Sequence, residues 1–344
     1  MTMTKTQTRV CSIDIFRWIC SILVVAIHST PFAEINQQLS IIFTNIIPTI
    51  GVPFFFTISG YYYIKKLESN EKVFFPYIKR LILTYFIWSC IYFLYDFIKW
   101  GHTNIKGFIS NCIILFMKGE SFYHLWFFAA LIFSVCLTTL IFKIKGKKAI
   151  IPISVILYII GCAGCSYYNL STKIPVLGDF FSSEYFTTVR RFLLMAFPFF
   201  VLGFFLQKIE SRLMLTNNNK NLYTISFFIL LLWVSEIILI TVLNWKTNYI
   251  ITLSLYMLII VIILILLKNP MLNYSSFSKS CRSMANFMYF SHPLVMICIE
   301  LLFQKIFDID VIPTLMFLLT ISITSLLGLL IHKSNNRFLS IFIN

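Results

Sequence analysis

Ten apolar runs, each close to the length that crosses a bilayer, follow one another from residue 12 to residue 332. About 30 Å of hydrocarbon needs about 20 helical residues, and every backbone amide in that layer must find its partner inside the protein. The architecture expected is an all-α integral membrane protein of about ten transmembrane helices. The spans cover roughly 12–31, 40–64, 77–98, 122–142, 149–166, 191–207, 222–243, 248–267, 284–304 and 311–332. The segment 105–118 is too short to cross comfortably and reads as an interfacial or re-entrant helix. Nothing is left over for a separate soluble domain, so residues 1–344 are expected to form a single transmembrane domain.

Charge placement sets the expected topology. The chain is 59% hydrophobic and only 12% charged, yet carries a formal charge of +15. A soluble protein usually holds about 25% charged residues. The basic residues sit in short tracts between apolar runs, such as KIKGKK at 143–148 and YIKR at 77–80. That pattern marks cytoplasmic loops beside anionic lipid rather than nucleic-acid binding. The Lys and Arg excess alternates loop by loop when the N-terminus lies inside, which also places the C-terminus in the cytoplasm. The first run resembles a signal peptide after Lys5 and Arg9, but Asp14 and Arg17 fall within its apolar core, so it is read as a retained span.

Nine cysteines are scattered, mostly in apolar segments, as small hydrophobes. Cys162 and Cys165 have the spacing of a redox or zinc half-site, but no second pair or nearby histidine completes it. No metal and no resident cofactor is expected.

The informative residues are the polar ones inside the spans. Arg17 and His28 are eleven residues apart in the first run. On an α-helix that is three turns, roughly 16 Å of rise with about 20° of residual rotation, so both project from one face. Asp14 is one turn before Arg17 and within pairing reach of it. A charge at the bilayer centre costs about 2.5–3.5 kcal/mol or more unless it meets a partner or a watery cavity. Two readings of Asp14 and Arg17 stay open: a pair snorkelling to the inner headgroups, or the lining of a functional cavity. His28 is deeper along the same stripe, where a neutral imidazole is a usable general base.

Other spans add weaker signals. GVPFFFTISGYYY at 51–63 has a softened backbone and, at Ser59-Gly60, room for close approach by a helix or a ligand. YHLWFFAAL puts His124 and Trp126 at the external interface, where aromatic residues are common. MYFSHPLV places His292 beside Pro293 inside the ninth span, as a possible second polar wall. Glu236 and Glu300 also fall within spans and are candidates for bridging helices.

Taken together, Asp14-Ile-Phe-Arg17, the ten residues to His28-Ser29, then PFFFTISGYY, YIKR, HLWFF and YFSHPL resemble the acyltransferase-3 family over essentially the whole chain. The first helix and HLWFFAA look most similar to the membrane half of the membrane-bound serine racemases of glycopeptide-resistance operons. The residues present include no pyridoxal-phosphate lysine domain, so racemisation is not assigned to them.

The resemblance implies an acyl-CoA-dependent O-acyltransferase of the bacterial cell membrane. It would move an acyl group, usually acetyl from acetyl-CoA, to a hydroxyl of an extracytoplasmic glycan or other cell-envelope acceptor. Arg17 matches the arginine that helps hold the donor, and Lys79-Arg80 the basic stretch that meets CoA phosphates. His28 matches the histidine held essential for transfer. His124, Trp126 and Arg191 resemble positions on the acceptor side, supported by Asp14, Ser59 and His292. One departure is Leu83-Thr84, where the family's basic stretch often repeats an arginine before a proline. The rival expectation, from the racemase-like subgroup, is a serine uptake or supply module without acyl transfer.

Overall fold

The computed structural model describes residues 10–69, 71–101, 104–144, 149–215, 219–245, 251–270, 276–334 and 336. Every regular element among them is helical. The principal helices are α1 (Cys11–Ser29), α2 (Gly51–Ser69), α3 (Phe74–Trp100), α4 (Ile105–Lys118), α5 (Trp126–Ile144) and α6 (Ile150–Ala163). They continue as α7 (Phe197–Leu215), α8 (Asn219–Val242), α9 (Leu253–Lys268), α10 (Ser276–Phe307) and α11 (Pro313–Ser334). Several basic segments used to read the topology, including residues 1–9, 145–148 and 337–344, lie outside the described residues.

Eight helical stretches among the described residues are long and apolar enough to cross a membrane. The remaining two expected spans, 149–166 and 248–267, coincide with α6 and α9, of 14 and 16 residues. At 1.5 Å per residue these rise only about 21 and 24 Å, short of the hydrocarbon thickness. Among the described residues the expected ten therefore comprise eight helices long enough to cross and two shorter apolar ones. Segment 105–118 is a helix as expected, with none of its residues buried.

The chain divides into two compact units. The first holds residues up to Gly51, Asn218–Phe228 and everything from Leu258 onward. Its centre is α1, packed along α10 and α11. Close approach is possible because the facing positions are small: Ser12, Cys20, Ser21, Ala26 and Ser29 on α1, with Ser278, Cys281 and Ala285 on α10, all buried. Hydroxyls then bond across the helices, Ser21 Oγ to the Ala285 carbonyl at 3.0 Å and Ser12 Oγ to that of Leu266 at 2.6 Å. Trp18 Nε1 donates to Ser325 Oγ at 3.2 Å. A short α–π–3₁₀ stretch, Gln37–Ile50, also packs on α1.

The second unit covers Val52–Asn217 and Ile229–Met257. Its core is the crossing of α2 and α7, where two glycines let the backbones touch. A Cβ on Gly60 would sit 2.0 Å from the Phe200 carbonyl oxygen, and one on Gly203 would sit 2.1 Å from that of Thr57. Around this contact Phe54, Phe56, Tyr61, Phe199, Phe200 and Phe204 are buried. Aromatic residues, 17% of the sequence, fill the volume beside a crossing that no side chain can enter.

Candidate functional site

The expected site residues fall into two sets, one in each unit. In the first unit, α1 runs unbroken from Cys11 to Ser29, so the helical spacing of Arg17 and His28 holds as read. Asp14 Oδ1 lies 3.5 Å from Arg17 Nη1, with the aspartate side chain 6% exposed and the arginine 20%. Desolvating a carboxylate beside a guanidinium is tolerable because each supplies the other's counter-charge. Asp14 therefore orients Arg17.

His28 sits in the last turn of α1, half-buried. The structure brings it together with His292 of α10: the two imidazoles stack with centroids 5.3 Å apart and planes 21° apart. His292 is completely buried. Its Nδ1 lies 3.0 Å from the Met288 carbonyl oxygen and 2.9 Å from that of Tyr289, and the Tyr289 ring stands edge-on at 6.5 Å. Two residues 264 positions apart in sequence thus form one contact, which no spacing within a single helix could reveal.

In the second unit, Arg191 and Trp126 come together, the guanidinium 5.4 Å from the indole centroid. Such stacking suits a partly desolvated arginine. A residue missed in the sequence completes this cluster: Glu120 Oε1 is 3.7 Å from Arg191 Nη1. Glu120 follows Gly119, which caps the end of α4 in the left-handed region (φ 77°). A glycine just after an amphipathic run was the available signal. Arg190 and Arg191 open a π-helical stretch, Arg190–Ala196, ahead of α7, and such local widening is frequent at functional sites.

The other expected residues make contacts of their own. His124 is buried edge-on against Tyr92 at 5.1 Å and Phe122 at 5.8 Å. Lys79 and Arg80 are exposed near the start of α3, with Arg80 over the Tyr77 ring at 5.6 Å. Ser59 Oγ donates to the Phe55 carbonyl at 2.7 Å within its own helix, while its neighbour Gly60 meets α7 rather than a ligand. A cavity of about 360 Å³ lies between α3 and α4, lined by residues such as Phe86, Phe93, Ile109 and Phe116. None of the expected site residues lines it.

Of the two buried-glutamate candidates, Glu236 bridges as expected and Glu300 is exposed. Glu236 accepts from Tyr167 Oη at 2.5 Å and from the Leu253 and Ser254 amides at 2.7 Å each, and also from Ser254 Oγ. It caps α9 from α8, as a carboxylate at a helix N-terminus should. Burial, and next the carboxylate itself, hold the Tyr167 phenol above its usual range.

Residues 11–333 match the acyltransferase domain of the acyltransferase-3 family. The chain belongs to this family. All ten expected site residues fall within the match. The membership and the eight spans make this acyltransferase-3 protein a multi-pass protein of the cell membrane. It is 28% identical over 304 residues to an amino-acid racemase of Enterococcus faecalis, covering 84% of this chain and 41% of that one. A second amino-acid racemase of the same organism is 32% identical over 213 residues, 61% of this chain and 30% of that one. A serine/alanine racemase of Enterococcus gallinarum is 32% identical over 174 residues, covering 48% and 24%. The chain spans less than half the length of these curated relatives. No solved structure matches.

Proposed function

We propose that this acyltransferase-3 protein moves an acyl group, acetyl in the first instance, from cytoplasmic acyl-CoA to a hydroxyl of a cell-envelope glycan or similar external acceptor. The observation that carries the reading is the His28–His292 contact on the same helix face that bears the Asp14–Arg17 pair. A chain that needed only an anchor would gain nothing from stacking two imidazoles where α1 packs on α10.

In this reading His28 accepts the proton of the acceptor hydroxyl as its oxygen attacks the thioester carbonyl. The tetrahedral intermediate collapses with breakage of the C–S bond, and the imidazolium returns the proton to the departing CoA thiolate. The products are the O-acyl ester and free CoA thiol. Arg17, aimed by Asp14, meets donor oxygens, while exposed Lys79 and Arg80 attract CoA phosphates. His124, Trp126 and Arg191 serve the acceptor, with the termini cytoplasmic. No metal or bound cofactor enters the scheme.

The test is label transfer in membranes given radiolabelled acetyl-CoA. His28→Ala at normal expression should lower transfer at least about a hundredfold, the usual contribution of a general base. Arg17→Ala should raise the donor KM. Wild-type rates in His28→Ala would refute the chemical role.

The relatives' names favour a second reading, in which the domain binds or supplies serine without acyl transfer. Labelled serine bound by the purified protein, with no label taken from acetyl-CoA, would replace the first reading with this one.

A further inference from the structure

We propose that Pro293 locks one tautomer of His292, and that the locked ring is the positioning residue for His28. In an unbroken α-helix the N–H of residue 293 would bond to the carbonyl of Tyr289, four residues earlier. Proline has no N–H to give. Within a membrane the carbonyl so released must take a donor from the protein or from cavity water.

His292 supplies it. Its Nδ1 lies 2.9 Å from the Tyr289 oxygen and 3.0 Å from the Met288 oxygen. Carbonyl oxygens only accept, so Nδ1 carries a hydrogen, and in the neutral ring the lone pair is then on Nε2. Two acceptors on one nitrogen hold the imidazole plane as well as its tautomer.

A carbonyl donor alone would not have required histidine. Ser291, one residue earlier, back-bonds to the Phe287 carbonyl at 2.7 Å with a simple hydroxyl. What an imidazole adds is a flat face, and that face lies on His28 at 5.3 Å and 21°. His292 is 0% exposed, whereas His28 is only half-buried and sits in a helix's last turn. A fixed ring therefore backs an accessible one and holds its plane. The dipeptide His292-Pro293 builds the device locally, and the packing of α10 on α1 delivers it. The positioning role rests on His28 being the reactive group, while the tautomer lock stands independently of it.

The experiment uses the full chain in lipid nanodiscs with ¹⁵N-labelled histidine, His292 being assigned by the signal lost in His292→Asn. Nδ1 should be protonated and Nε2 not. Pro293→Ala returns an amide N–H to the Tyr289 carbonyl without threatening the helix. With only the Met288 carbonyl left to it, the ring should lose part of its Nδ1–H preference and shift the His28 signals. An Nε2–H tautomer in the wild type, or an unchanged spectrum in Pro293→Ala, would overturn the lock. These spectra need no turnover, so they are decided separately from the label-transfer test.

The positioning role is read from kinetics. His292→Ser keeps a hydroxyl donor for the carbonyl but removes the flat face. It should lower kcat by about 10- to 100-fold, the order that orienting partners of metal-bound histidines contribute, while donor KM and thermal stability stay near wild type. Wild-type kcat in His292→Ser would overturn the positioning role.

Discussion

Several polar residues in this protein are held by partners far away in the sequence, and the partner determines what each one does. Asp14 and Arg17 are an exception, since their link is one helical turn and was visible at once. Glu236 shows the rule. As an intramembrane carboxylate it was a candidate bridge, but only the fold shows that it receives the first two amides of α9 and two hydroxyls. Replacing it by Gln preserves shape but turns an amide NH₂ toward groups that can only donate or must reorient. Leaving one buried donor unmet costs about 1–3 kcal/mol. Glu236→Gln should therefore lower the detergent-solubilised melting temperature and speed hydrogen exchange at the Leu253 and Ser254 amides. Unchanged exchange there would show the cap to be dispensable.

Helices here are positioned by what their faces lack. Small residues on α1 and α10 bring their backbones close, and paired glycines do the same for α2 and α7. Ser59-Gly60 illustrates the ambiguity of such motifs: the spacing admits a helix or a ligand equally, and the structure chooses the helix. Since the new Cβ of Gly60→Ala would meet backbone rather than a movable side chain, the helices must separate. Overpacking of this kind costs typically about 1–3 kcal/mol. Gly60→Ala should lower thermal stability by at least that order, and Gly203→Ala likewise, with donor and acceptor residues untouched. A stable Gly60→Ala protein would mean that the crossing is looser than its geometry. The two short helices teach a related lesson. α6 and α9 are as apolar as the full spans, so hydropathy found them, but their length emerged only where the regular backbone stops.

For the whole molecule, the order of apolar and basic segments carries a testable topology. A reporter fused after Ser334 should be active only when cytoplasmic, and one placed in the loop 167–189 only when external; the opposite pattern would mean that the loop-by-loop charge excess has been misread. How much of this protein is legible without coordinates follows from the range of each interaction. Transfer of apolar side chains from water to lipid is additive along the chain, so composition and spacing alone yield an all-helical membrane protein and the approximate places of its helices. Spacing along one helix is also local, which made the shared face of Arg17 and His28 readable. Contacts between helices depend on which faces meet, and a linear pattern holds no such information. Hence the stacking of His28 on His292, the closing of Glu120 on Arg191, and the use of Gly60 for packing were all decided by tertiary structure, because each joins groups whose distance along the chain says nothing of their distance in space.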